Sequence, residues 1–375
     1  MNPGRRWEPW PLFCDDDAFA EAWLRNAILH SNDPAEQASL VQLLSRLGAW
    51  SAVAELLEER PQLLEQADAR AALLHLRQTQ GHPNPWLALL PAGDQQPFLE
   101  HWRRVWAGSQ RIQVMLSGGL GDQLEAVGLC SSADQLRQRL ALVVPEASSQ
   151  ALKPLLQQGE NHRLPRWRFG QVDSSQPWLS LMAMRAVLAD AGVSLVAKPT
   201  MTHLRDHKPQ AQIVVCWRSK VDPGERLWAH LRSLPIRGIE QVYRWLIPWA
   251  ATRNWRVVDV TPYRPGELVR MASRVEEAVL DLAHHRLTSL RDTASLVAAS
   301  QLVVSVDTAL IHVAHALDVP RWLLLHRQPD PRWQLRLQQD GSCDRENLRV
   351  LQQTTQGRWL EPLSQLRAVI NGLGA

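Results

Sequence analysis

From residue 111 onward the chain repeats one pattern: a short apolar run of strand type, a turn, then a helical stretch before the next run. Arg111-Ile-Gln-Val-Met-Leu116 is the first run, and Ser117-Gly-Gly-Leu-Gly-Asp122 turns out of it. A helical stretch from Gln123 leads to the next run, Leu140–Val144. Strand, glycine turn, helix and strand make a βαβ unit, whose strands run parallel because the helix carries the chain back across the sheet. The polar, basic stretch Thr200–Gln212, with His203, Arg205, His207, Lys208 and Pro209, reads as a linker, after which the pattern restarts. Strands are expected at Ile213–Trp217, Arg256–Val260, Val279–Leu282, Leu302–Val306, Trp322–Leu325 and Leu348–Leu351. Helices at Ile239–Thr252, Thr293–Ala299 and Thr308–Leu317 separate them. Such alternation predicts two parallel sheets with helices on both faces, and a cleft between the carboxyl ends of their strands, where open α/β sheets bind ligands.

The first 107 residues have a different texture. Asp15–His30 sets Phe19, Ala22, Trp23, Ala27 and Leu29 among polar residues, and Asn32-Asp33-Pro34 gives a cap followed by proline early in a helix. Leu40, Leu43, Leu44 and Leu47 follow at helical spacing until Gly48 stops them. Ala52–Glu59 and Leu63–Gln78 continue the theme, Gly81–Pro85 breaks it, and Gln96–Trp106 closes it. Paired helices of this length predict a degenerate tetratricopeptide-like module, with a helical cap packed on the next domain as the alternative.

Composition sets outer bounds. Hydrophobic residues make up 45% and charged residues 21% of the 375, the balance of a globular protein, and the net charge of +3 is too small to point to nucleic acid. The four cysteines, Cys14, Cys130, Cys216 and Cys343, lie far apart, with neither metal nor redox spacing, which makes the reducing cytoplasm the expected compartment. Met1–Trp10 lacks an apolar signal core, and no apolar run is long enough to span a membrane, which leaves peripheral association at the inner membrane face open. The 17 Trp spread from Trp7 to Trp359 and read mainly as packing residues.

Three places carry candidate chemistry. Gly118, Gly119 and Gly121 allow a sharp turn and a close approach of backbone to ligand. The dinucleotide fingerprint fails because Leu124 stands where its last glycine belongs, and no Gly-Lys-Ser/Thr phosphate loop exists. Asp122, presented by this turn, fits two roles: a helix cap, or a general base towards a hydroxyl in the cleft. Next, Leu302–Val306 runs into Asp307-Thr308-Ala309 and a helix carrying His312 and His315. A helix amino end at a strand tip suits a diphosphate, with Thr308 as an added donor and His312 on the same face. A lone helix histidine is more often a packing or surface residue, and His315 dilutes the signal further. Last, Arg218, Ser219, Lys220, Arg226 and Arg232 follow the strand that opens the second lobe, either as a solvated basic loop or as cations for a leaving phosphate.

Taken together, these motifs resemble glycosyltransferase family 9, the heptosyltransferases, and especially relatives fused behind tetratricopeptide repeats. The resemblance rests on Gly119-Leu-Gly-Asp122, on Asp292-Thr293-Ala-Ser-Leu-Val297, and above all on Val304-Ser-Val-Asp-Thr-Ala309 with His312, running through Pro320 to Trp322–Leu325. Pro331-Arg332-Trp333, Leu348–Gln352 and Gly357-Arg-Trp359 also fit. It implies a GT-B fold: a helical module over 1–107, an acceptor lobe over 108–205 and a nucleotide-sugar lobe over 206–375. It further implies an inverting transferase that needs neither metal nor cofactor beyond a nucleotide-sugar co-substrate. Asp122 would be the base, with Asp307, Thr308, Ala309, His312 and Ser219 at the donor. Arg232 lies nearest the lysine that contacts the leaving diphosphate in the family, with Lys220 second. The acceptor would be a glycan, a lipid-linked species or a protein, in surface polysaccharide or lipopolysaccharide synthesis, and the amino-terminal helices offer a surface for a protein partner. Two departures stand out: His315 replaces the glycine usual after the motif histidine, and the first lobe is short. A catalytically degenerate scaffold that keeps the fold is the rival reading.

Overall fold

The computed structural model of the chain describes residues 17–158, 164–195, 197, 199–205, 208–219, 231–263, 266–267, 271, 280–330, 333, 344–345, 347–355 and 357–372. Four helices open it: α1 (Asp17–His30), α2 (Pro34–Leu47), α3 (Trp50–Glu59) and α4 (Ala67–Thr79). The cap read from the sequence forms as expected, with Asp33 accepting from the Ala35 N–H at 3.0 Å and Pro34 opening α2. Leu24, Ile28, Leu40, Leu44, Val53, Leu56 and Leu63 fill the core of this module. A 3-10 turn at Pro85–Leu89 and helix α5 (Gln95–Ala107) lead out of it.

The first sheet has four parallel strands in the order β3-β2-β1-β4: β1 (Ile112–Met115), β2 (Leu140–Val144), β3 (Arg166–Phe169) and β4 (Trp178–Ser180). Helices α6 (Leu120–Cys130), α7 (Asp134–Arg139), α8 (Glu146–Gln158) and α9 (Leu181–Asp190) connect and cover them. The second sheet contains β5 (Gln212–Cys216), β6 (Arg256–Asp259), β7 (Leu280–Leu282), β8 (Leu302–Val306), β9 (Arg321–Leu325), β10 (Asp344–Arg345) and β11 (Leu348–Gln352). Its order is β10-β11-β9-β8-β5-β6-β7, parallel except for the β10–β11 pair. Helices α10 (Ile236–Ala251), α11 (Leu290–Ala298), α12 (Ala309–Ala316) and α13 (Leu360–Gly372) complete this lobe.

Without β10, the second sheet has the order of a doubly wound nucleotide-binding sheet, which reverses direction between β5 and β8. At such a switch point the loops leaving the two central strands diverge, and a crevice opens at their carboxyl ends. Strands β5, β8 and β9 are buried along their whole length, because helices cover both faces. This explains why they read in the sequence as unbroken apolar runs and not as alternation.

The two sheets pack as facing lobes of the GT-B kind. Leu124, Val127, Leu310, Ile311, Val313 and Ala314 belong to one buried apolar cluster, which sets α6 of the first lobe against α12 of the second. Full burial of each leucine, isoleucine or valine among them contributes about 1.5–3 kcal/mol. Among the described residues no helix is long and apolar enough to cross a membrane.

Candidate active site

Between the lobes lies an open cleft of about 1570 Å³. Gly118–Asp122 line it from the first lobe, and Arg218, Ser219, Arg232, Asp307–Leu310 and His312 from the second. The two segments on which the sequence reading depended therefore share one space.

The turn after β1 is shaped by its glycines. Gly118 has φ of 80°, a left-handed conformation, and a Cβ there would stand 2.8 Å from Asp122 Oδ2. Asp122 Oδ2 in turn accepts the Gly119 N–H at 3.0 Å, so the carboxylate both caps α6 and lines the cleft. The capping role read from the sequence is thus formed, by a carboxylate that also faces the cleft. Gln123, which the sequence reading passed over, braces the turn by donating to the Gly118 carbonyl at 3.1 Å and to Ser148 Oγ at 2.9 Å. Gly121 serves closeness: a Cβ there would meet His312 Cδ2 at 2.6 Å.

His312 is buried between the lobes. Its Nε2 lies 3.7 Å from Asp307 Oδ1, and its ring tilts against Trp333 with centroids 5.3 Å apart. Asp307 is itself buried at the tip of β8. Thr308 stands at the amino end of α12 with its Oγ1 3.1 Å from Ser305 Oγ, and Thr308 and Ala309 are the partly exposed residues of this terminus. His315 explains one departure noted in the sequence. Arg321 donates to its Nδ1 at 2.8 Å, so its Nε2 carries the proton that the Ala197 carbonyl accepts at 3.0 Å. The ring thus ties the interlobe linker to α12, as do the Thr200 and Met201 N–H groups that donate to the Ala316 carbonyl.

The loop after β5 is held by a network that the sequence reading missed. Trp217 Nε1 donates to Tyr243 Oη at 2.8 Å, and Tyr243 and Tyr263 donate to Asp259 Oδ2 at 2.6 and 2.7 Å. The Thr261 N–H donates to the other oxygen of Asp259 at 2.8 Å, while its hydroxyl accepts the Trp217 N–H at 2.9 Å. Both tyrosines of the chain converge on this one carboxyl, whose pKa burial raises. Beyond it, Ser219 is buried and donates its N–H to Ser233 Oγ at 3.0 Å, and Arg218 donates to Glu267 at 2.5 Å. Arg232 reaches the cleft; Lys220 and Arg226 lie outside the described residues, as do Pro331 and Arg332.

The Asp292 motif proves to be a helix cap at the cleft rim. Ser289 and Thr288 donate to its carboxylate at 2.9–3.1 Å, and these bonds hold its pKa below the usual carboxylate range. Cys216 lines the cleft too, but burial pushes its thiol up to about 12, which excludes a thiolate nucleophile near neutrality. Among the described residues no group of three His, Cys, Asp or Glu could hold a metal ion.

Residues 243–332, from Tyr243 through Asp259, Asp292 and the Asp307–His312 segment, match the family model of glycosyltransferase family 9 (heptosyltransferase). The matched stretch lies within the second lobe. No curated protein sequence matches the chain. Similar solved structures include the ADP-heptose lps heptosyltransferase II of E. coli, at 14% identity and a TM-score of 0.47, covering 71% of this chain and 100% of that one. E. coli heptosyltransferase WaaC with ADP-2-deoxy-2-fluoro heptose aligns at 16% identity and a TM-score of 0.41, covering 71% and 98%. The bacterial iron-containing dodecameric glycosyltransferase TibC from enterotoxigenic E. coli aligns at 13% identity and a TM-score of 0.38, covering 58% of each chain. The matched stretch begins after Asp122 and Arg232, which line the cleft from outside it.

Proposed function

We propose that the chain transfers a sugar from a nucleotide sugar to an acceptor hydroxyl by direct, inverting displacement without a metal, in surface polysaccharide or lipopolysaccharide synthesis. Asp122 takes the hydroxyl proton as the acceptor oxygen attacks the anomeric carbon. The bond from that carbon to the diphosphate breaks, and its electron pair leaves with the nucleoside diphosphate. The N–H groups at the amino end of α12, with Thr308 and Arg232, receive the charge that develops there. The cleft holds both substrates in reach of each other, so much of the rate gain is positional.

One observation carries this reading: the Gly118–Asp122 turn and the Asp307–Ala309 tip line the same open cleft. A scaffold that retained the fold as a relic would have no need to keep that space open.

The test is a pair of measurements on Asp122→Asn. An asparagine oxygen still accepts the Gly119 N–H, so the turn keeps its shape. Stabilisation against heat by ADP-, GDP-, UDP- or dTDP-sugars should match the unaltered chain, while transfer falls by at least about a hundredfold, the scale of a lost general base. Equal loss of binding and transfer would remove the general-base role, and stabilisation by none of these donors would favour the scaffold.

A further inference from the structure

Helix α2 has two unlike faces. Ala38, Leu40, Val41, Leu44, Ser45 and Leu47 are buried in the helical module. Ser39, Gln42, Leu43 and Arg46, spaced three and four residues apart and so on one stripe, line the interlobe cleft. Asp68 of α4 joins them and accepts Ser39 Oγ at 2.5 Å.

The stripe is fixed in that position. Gly48, the left-handed cap of α2, lies so close to Gln328 that a Cβ would stand 2.7 Å from its Nε2. Leu231, beside Arg232, is buried in the core of the helical module. On the other lobe, Asn84 donates to the Ala186 carbonyl at 2.8 Å, and the Arg185 guanidinium stacks over Trp86 at 4.8 Å. The module therefore grips both lobes while one helix face looks into the space between them. Its Arg46 end sits at the donor strand tips: Arg46, Arg232, Asp307 and Asp330 all lie near enough to His326, which follows β9, to act on its charge.

We propose that the helical module completes the nucleotide-sugar site, with Arg46 bonding a phosphate oxygen of the bound donor alongside Arg232. A guanidinium offers the planar fork that a phosphate accepts in two bonds. The proposal rests on reading the cleft as a nucleotide-sugar site, and it makes the module a third wall of that site.

Titrations of the full chain with ADP, GDP, UDP and dTDP, followed by calorimetry, test it. With whichever nucleotide binds the unaltered chain, Arg46→Gln should raise Kd roughly tenfold or more, and Arg46→Lys should restore part of the loss. Gln42→Glu is the second variant. Its carboxylate stands four residues before Arg46, which supports the helix and competes with phosphate for the guanidinium, so Kd should also rise, and less so in high salt. If Arg46→Gln does not fold, Gln42→Glu decides alone. An unchanged Kd in the folded variants overturns this inference and leaves the proposed function standing. Failure of all four nucleotides to bind the unaltered chain overturns both.

Discussion

At the scale of single residues, the most consequential groups are charged or polar side chains that the fold has taken out of water. Glu125 of α6 and Arg185 of α9 form an ion pair at 3.3 Å with side chains 3% and 4% exposed, and Trp86 of the helical module covers the guanidinium. Removing one partner strands the other in an apolar interior, where no water can screen it. Glu125→Ala should therefore lower unfolding free energy by about 3–5 kcal/mol. Glu125→Ala combined with Arg185→Met should recover much of that, and denaturant melts of the three chains would show it. The same burial explains why such residues were invisible in the sequence. Glu125 and Arg185 are 60 positions apart, and neither carries a local signal of its partner. Asp122 was legible because its signal is local: three glycines and a carboxylate fix both the turn and the residue that it presents. Asp259 was not, since its meaning lies in two tyrosines that only the folded lobe brings to it.

At the scale of elements, legibility follows burial. Strands β1, β2, β5, β8 and β9 announce themselves as apolar runs because the interior demands it. Strand β3, Arg166-Trp-Arg-Phe169, lies at the edge of its sheet and alternates exposed with half-buried residues, so its two arginines hide it. Strand β4 is three residues long and gives no period to read. Where α4 meets the loop after β9, two histidines are buried. His326 is lowered to about 3 by burial, and His75 well below its ordinary value for the same reason, with Arg46 adding to the effect on both. In the unfolded chain these rings take up protons near pH 6.5, while in the folded chain they resist doing so. The contribution of the His326 ring to stability is thus complete above about pH 6.5 and is lost as pH falls from there towards 3, by on the order of 1 kcal/mol per pH unit, and His75 acts in the same direction. Urea melts at pH 7 and pH 5 should show the decline, and replacing His326 with Gln should flatten it; a decline of unchanged slope in that variant would assign it elsewhere.

At the scale of the molecule, the arrangement turns on how closely the lobes approach. Their contact is apolar along α6 and α12, and it is close where Gly121 faces His312. His312 cannot move aside freely, because Trp333 lies against one side of its ring and Asp307 near its Nε2. A single methyl added at Gly121 would stand 2.6 Å from the imidazole, so the strain must be relieved by moving one lobe from the other. Gly121→Ala should therefore widen the distance between the Asp122 turn and the Thr308 tip while leaving each sheet intact. Nucleotide binding, which the proposed function assigns to the second lobe and the helical module and not to the Asp122 turn, should hold near its original strength. Transfer, which needs both lobes in register, should fall by about a hundredfold, as expected when reacting groups are misplaced by about 1 Å. Donor titration and turnover measured on the same preparation separate the two effects. Equal loss of both would mean that the glycine serves the second lobe and not the approach of the first. The helical module belongs in the same account: by gripping Ala186 on one lobe and Leu231 and Gln328 on the other, it limits how far that opening can go.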